Sequence, residues 1–204
     1  DAKFQQAKLN LARVDIGTRS YDAASARLND MLKDEPGSSE AMYELALIAE
    51  RKGQQPEAQR WMEKARDAGA SGDPRWDLAL MEFHLRNDRP GPALDAAKSA
   101  SARKPDDLRV LLAYSRAQLA NGDTIAAKSA LNTATRVAEY DAPLQVQIAN
   151  LQLAANNPGG ANYSLDKALS ARPNFLPALA VKVQVQMRQG DLDAAEKQAR
   201  SIVA

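Results

Sequence analysis

The residues able to do chemistry are few in this chain and widely spread. There is one histidine, His84, and no cysteine. A single imidazole with no partner nearby in sequence makes neither a metal site nor a catalytic triad, so it reads as a packed residue. The absence of cysteine excludes thiolate catalysis, cysteine-ligated zinc and a disulfide scaffold. Paired carboxylates occur at Asp106-Asp107 and at Asp191 and Asp193. Such pairs can serve acid–base work or hold calcium. A calcium loop needs alternating acids, a central glycine and a closing glutamate, and that pattern is absent. Both pairs stand where helical patterns begin, which suits capping. Asn156-Asn157-Pro158-Gly159-Gly160 is glycine-rich, but no Lys-Ser/Thr follows it as a phosphate loop requires. It reads as a turn. The remaining candidates are four arginines, Arg75, Arg86, Arg109 and Arg116, interleaved with Leu78, Leu112 and Leu119. Guanidinium groups beside apolar side chains suit recognition of a carboxylate-bearing segment.

Composition limits what can position these groups. The 204 residues are 45% hydrophobic, enough for a core, and 5% aromatic, too few for a β-sandwich. A net charge of +1 gives no reason to expect nucleic acid. No apolar run approaches the ~18 residues of a membrane span. The chain opens at Asp1 without a signal-like segment and stops on Ile202-Val203-Ala204. This reads as a fragment of a longer repeat protein, whose terminal faces would be prone to end-to-end self-association.

The organising feature is a repeat. Asn121-Gly122-Asp123-Thr124-Ile125-Ala126-Ala127 parallels Gln189-Gly190-Asp191-Leu192-Asp193-Ala194-Ala195 two periods later. Repeats starting near 5, 39, 74, 108, 142 and 176 place an alanine at position 20 every time: Ala24, Ala58, Ala93, Ala127, Ala161 and Ala195. Gly53, Gly122 and Gly190 fall mid-repeat, where a helix ending in the left-handed region is expected, and Asp88 and Asn156 take that place elsewhere. Ser20, Asp123, Asn157 and Asp191 are then candidate N-caps, with Pro158 at a first helical position. Pro36, Pro105 and Pro173 stop the second helix, while Ala70 and Glu139 hold the same position in two other repeats. Ser38, Asp73, Asp107 and Asp141 are placed to cap the helix that follows. The one extra residue falls in the loop Ala68-Gly69-Ala70-Ser71-Gly72-Asp73. Each repeat is predicted as helix A, tight turn, helix B, the whole chain being all-α and one array.

These residues resemble the tetratricopeptide repeat (TPR), whose pattern asks for Leu at 7, small residues at 8, 20 and 27, and Pro at 32. Leu11, Leu45 and Leu80 answer at position 7, and Ala12, Ala46 and Ala149 at position 8. Position 11 departs from the usual aromatic, reading Asp15, Ala49, His84, Gln118, Gln152 and Gln186. The resemblance implies a right-handed α-solenoid without enzymatic activity or cofactor. It also implies a concave groove lined by helix-A residues at positions 2, 5, 9, 12 and 13. Here these include Tyr43, Leu47, Arg51, Arg75, Leu78, Glu82, Arg86, Arg109, Leu112, Arg116, Asn150, Gln184 and Arg188. The Lys/Asn carboxylate clamp of chaperone-binding members is absent, since Tyr43 and Leu47 stand in its place.

The stretches Lys167 to Ala180 and Arg188 to Ala195 are similar to TPR lipoproteins of bacterial exosortase (PEP-CTERM) and exopolysaccharide-export systems. That likeness implies an envelope scaffold, periplasmic or lipid-anchored, with a cytoplasmic place not excluded. The expected partner is a protein or peptide held in the groove. The alternative is a periplasmic arm binding polysaccharide directly. Glycan sites present exposed aromatic platforms, and the sequence offers Tyr43, Trp61 and Trp76 for that role.

Overall fold

A computed structural model describes residues 2–69 and 72–203 of the chain. Among these residues there are twelve α-helices and no strand. Helices A are α1 (Ala2–Gly17), α3 (Ser39–Arg51), α5 (Arg75–Arg86), α7 (Leu108–Ala120), α9 (Ala142–Ala154) and α11 (Leu176–Gln189). Helices B are α2 (Tyr21–Asp34), α4 (Gln55–Ala68), α6 (Pro90–Arg103), α8 (Thr124–Val137), α10 (Pro158–Ala171) and α12 (Leu192–Val203). The chain divides into two compact units, residues 1–88 with α1–α5 and residues 89–204 with α6–α12. Ala70, Ser71 and Ala204, named in the repeat pattern, lie outside the described residues.

The A-to-B turn is built the same way throughout. The fifteenth residue of every repeat has positive φ: Arg19 (62°), Gly53 (73°), Asp88 (53°), Gly122 (82°), Asn156 (52°) and Gly190 (80°). In five of the repeats the next N–H then reaches back five residues to the position-11 carbonyl. Such bonds run from Ser20 to Asp15 (2.8 Å), Gln54 to Ala49 (2.9 Å), Asp123 to Gln118 (2.9 Å), Asn157 to Gln152 (2.8 Å) and Asp191 to Gln186 (3.0 Å). This 6→1 bond satisfies a helix-end carbonyl that would otherwise be orphaned. Arg19 was not foreseen in this role, because arginine has no preference for the left-handed region.

Side-chain caps follow the carboxylates and amides. Asp123, Asn157 and Asp191 accept from the backbone N–H three residues on, at 2.9, 3.2 and 3.1 Å. Asp141 accepts from Leu144 N at 3.0 Å and Asp107 from Arg109 N at 2.9 Å. Asp73 Oδ1 accepts from Arg75 N at 3.0 Å. The serines do not serve: neither Ser20 nor Ser38 makes a side-chain cap bond. Ser20 Oγ instead lies 3.3 Å from Thr18 Oγ1. Helices α2, α6 and α10 each end two residues before Pro36, Pro105 and Pro173, as the ring's clash with a continuing helix demands.

The core is set by the small residues. All six position-20 alanines are buried, as are Ala12, Ala46, Ser115 and Ala149 at position 8. Leu28, Met62, Leu131 and Leu165 fill the spaces between them. Helices therefore approach closely, and within each unit stability comes from stacking each helix on the next.

Candidate protein-binding surface

Successive helices A pack on one another inside each unit, α1 on α3 and α7 on α9 on α11, with helices B packed against them. The outward residues of helices A, the groove positions that the resemblance implies, are the candidates for binding.

In the first unit this surface is charged and internally paired. Arg13 Nε donates to Glu44 Oε1 at 2.6 Å. Arg86 grips Glu50 with two bonds of 3.0 Å, and that carboxylate raises the pKa of the guanidinium. Arg75 pairs with Asp73 at 2.6 Å and Glu40 at 3.4 Å, its guanidinium 4.8 Å from the Trp76 ring centre. Tyr43 is half-buried, 5.5 Å from Trp76 between ring centres, and burial pushes its phenol pKa up, with Glu44 adding to the shift. Leu47, Leu78 and Glu82 are partly exposed beside them. Arg75 and Arg86 therefore already answer carboxylates of this chain, and a partner must compete for them.

A regularity emerges here that the sequence did not disclose. Arginine at position 13 reaches back to position 12 of the preceding repeat. Arg51 Nη1 donates to Ile16 O at 3.4 Å and Arg188 Nη1 to Leu153 O at 2.7 Å, while Arg86 meets the Glu50 side chain. Two of the three close the carbonyl end of a helix, where a cation is favourable. The recurrence of Arg51, Arg86 and Arg188 was visible in the sequence, but their partners 35 or 36 residues earlier were not. These arginines link repeats.

In the second unit Arg109 is exposed and pairs with Asp107 at 2.8 Å. Arg116, Asn150 and Gln184, all at position 9, are exposed on α7, α9 and α11 in turn. Leu112 is not available: it is 7% exposed and belongs to a core cluster with Leu111, Leu131 and Ala134. The reason is the breadth of the apolar stripe on α7, where Val110, Leu111, Leu112 and Ala113 are all buried.

The guanidinium of Arg109 holds the Asp107 carboxyl below the usual carboxylate range. A lowered folded-state pKa gives stability that is present above the unfolded value of ~3.9 and lost as pH falls through the folded one. Asp107→Ala should therefore cost about 1 kcal/mol at pH 7 through the lost cap. The difference from wild type should shrink as pH falls through the lowered pKa of Asp107, and urea melts at pH 7 and across the acid range would measure this.

His84 is buried on α5 with its ring edge-on to Phe83 at 5.5 Å, as its repeat position implied. Among the described residues no group of three or more His, Cys, Asp or Glu is placed to hold a metal. No described helix is long and apolar enough to cross a membrane. Open clefts of about 450 and 340 Å³ lie in the first unit, one beside Leu9 and Met31, the other beside Lys52 and Trp61.

Residues 9–74 match the tetratricopeptide repeat family. The fold as a whole matches solved structures of the same kind. PilW, a type IV pilus biogenesis factor, superposes with a TM-score of 0.69 at 19% identity, covering 98% of this chain and 92% of its own. This is a tetratricopeptide-repeat fold. PilF of Pseudomonas aeruginosa gives a TM-score of 0.67 at 17% identity, covering 98% of this chain and 91% of its own. YrrB, described as a TPR protein with an unusual peptide-binding site, gives 0.59 at 20% identity over 86% of this chain and 90% of its own. No curated protein matches this chain by sequence. Within the TPR frame, the buried polar residues at position 11, Gln118 and Gln152, replace the usual aromatic. Gln152 accepts from Asn157 Nδ2 at 2.7 Å, so the substitution ties helix A to the cap of helix B.

Proposed function

We propose that this chain is a non-enzymatic scaffold whose second unit, through α7, α9 and α11, binds an extended protein segment. The observation that carries this reading is the row of Arg116, Asn150 and Gln184, one exposed polar side chain per helix A. A guanidinium and two amides repeated along a helix-A layer offer donors at regular intervals, which suits an extended backbone and its carboxylates. Arg109 at the start of α7 adds a second guanidinium on the same helix as Arg116. YrrB, of similar fold, is described as binding peptide. The place of action in this reading is the bacterial envelope, in exopolysaccharide export or protein sorting, on the likeness of segments 167–180 and 188–195 to TPR lipoproteins there.

The test is a peptide array probed with wild type and with the double variant Arg109→Glu, Arg116→Glu. Wild type should retain extended, carboxylate-bearing peptides, and the double variant should lose them. Helical melts of the double variant check that it remains folded, because Arg109→Glu also removes the bond to the Asp107 cap. Retention of the same peptides by the double variant would refute the reading.

A further inference from the structure

The aromatic residues named as glycan platforms from sequence do not fill that role: Trp76 is 7% exposed, and Tyr43 and Trp61 are half-buried in core contacts. The exposed aromatics are elsewhere. Tyr140, in the corner between α8 and α9, and Tyr163, on α10, are each 61% exposed. Between them stands Lys167, its Nζ 5.0 Å from the Tyr140 ring centre and 5.7 Å from that of Tyr163.

We propose that Tyr140, Tyr163 and Lys167 form a contact site for an acidic glycan, with sugar rings on the phenol faces and a uronate carboxylate on the ammonium. The site is separate from the helix-A surface, because Tyr163 and Lys167 belong to a helix B. Three observations carry it. First, two aromatic rings share one patch in the open, where a monomer gains nothing from burying them. Second, the cation between them meets ring faces and a carbonyl but no carboxylate among the described residues. Lys167 donates to the Glu139 carbonyl at 3.5 Å. The nearest acid on its own helix, Asp166, is already paired with Lys182 at 2.7 Å. An ammonium has three donors, so most of its capacity is open to an anion. Third, the patch is held in place. Buried Gln145 donates to Glu139 O at 2.6 Å, fixing the residue beside Tyr140, while Tyr163 and Lys167 sit one turn apart on α10.

The Lys167 ammonium at the two rings suits a carboxylate, and the surface favours a sugar over a peptide. Flat phenol faces match the C–H faces of pyranose rings. A peptide would need a side-chain pocket or backbone partners, and around Tyr163 the backbone is engaged within α10. Other charges near the patch are the exposed Glu139 side chain, the Asp141 cap and Arg136. The acids favour a spaced, singly charged uronate over a dense polyanion.

The experiment titrates the chain with hexagalacturonate, the neutral cellohexaose and pentaglutamate, read by calorimetry and amide shifts. Wild type should bind hexagalacturonate saturably and more tightly than either control. Tyr140→Ala and Tyr163→Ala should each weaken binding about tenfold, the upper end for one stacked ring. Lys167→Gln should remove the preference for the acidic over the neutral sugar. Helical melts should confirm that each variant is folded, and a variant that melts early is replaced by Tyr→Leu at the same site. No saturable binding by wild type, equal binding by all variants, or equal affinity for pentaglutamate would each overturn the proposal. Retention of array peptides by a variant that has lost hexagalacturonate would show the two surfaces to be independent.

Discussion

Truncating Leu165 to alanine should destabilise the chain by about 3–4 kcal/mol, in the upper half of the range for such changes. Leu165 is fully buried on α10 and belongs to an aliphatic cluster of the second unit. Its neighbours there include Ala142, Ala149, Ala161, Ala168 and Ala178. Alanine has no rotamer with which to fill a void, and its backbone is held by the helix it belongs to. The cavity left by one methine and two methyl groups therefore stays open, and the transfer loss is compounded by lost dispersion contacts. A leucine-rich core would relax more and lose less. At ~2–4 °C per kcal/mol for a chain of this length, the melting temperature should fall by about 6–16 °C. Urea unfolding measures the effect directly. A loss under ~1 kcal/mol would mean that the helices around Leu165 can close in, contrary to the tight packing that six buried position-20 alanines imply.

The period and the helix boundaries were legible because the signals are local. Glycine at positive φ, proline two residues beyond a helix and carboxylates at caps act through the backbone around them. Arg19 escaped because its positive φ is imposed by the turn and not favoured by the residue. Left-handed geometry costs an ordinary residue roughly 1–2 kcal/mol, and here it is offset by the Ser20-to-Asp15 bond that closes the turn. The surface was less legible. Arg86 and Arg188 have the composition of ligands, but their partners lie a full repeat away, and only the stacked structure brings them together. Leu112 follows the inner-face spacing and is nevertheless core, because periodicity places a residue on a helix face without saying how wide the covered stripe is. Tyr140 and Tyr163 carry no pattern at all. Their meeting around Lys167 depends on the corner geometry between α8 and α9.

That corner supplies the other large effect. Gln145→Leu should destabilise the second unit by about 2–4 kcal/mol although it puts an apolar residue into a buried site. In three repeats a proline ends helix B, but here Glu139 stands at that position with φ 48°. The chain turns without proline's fixed φ, and Gln145, from the first turn of α9, takes over the restraint. Its Nε2 donates to Thr135 O at 2.9 Å and Glu139 O at 2.6 Å. Thr135 lies in the last turn of α8, so its carbonyl is one of those the helix cannot satisfy by itself. The Thr135 hydroxyl in turn lies 3.0 Å from Ser164 Oγ on α10, and both residues are buried. Leucine would leave the Thr135 carbonyl dry and without a donor, at about 1–3 kcal/mol, and would loosen the Glu139 carbonyl as well. Glutamate at 145 is the harsher control, since it adds a buried charge and supplies no N–H. Both variants should also release Tyr140 from its position, so amide exchange at residues 138–141 should quicken even below the melting range. Unchanged exchange there, with full stability, would show that the corner is held by Lys167 and the backbone alone.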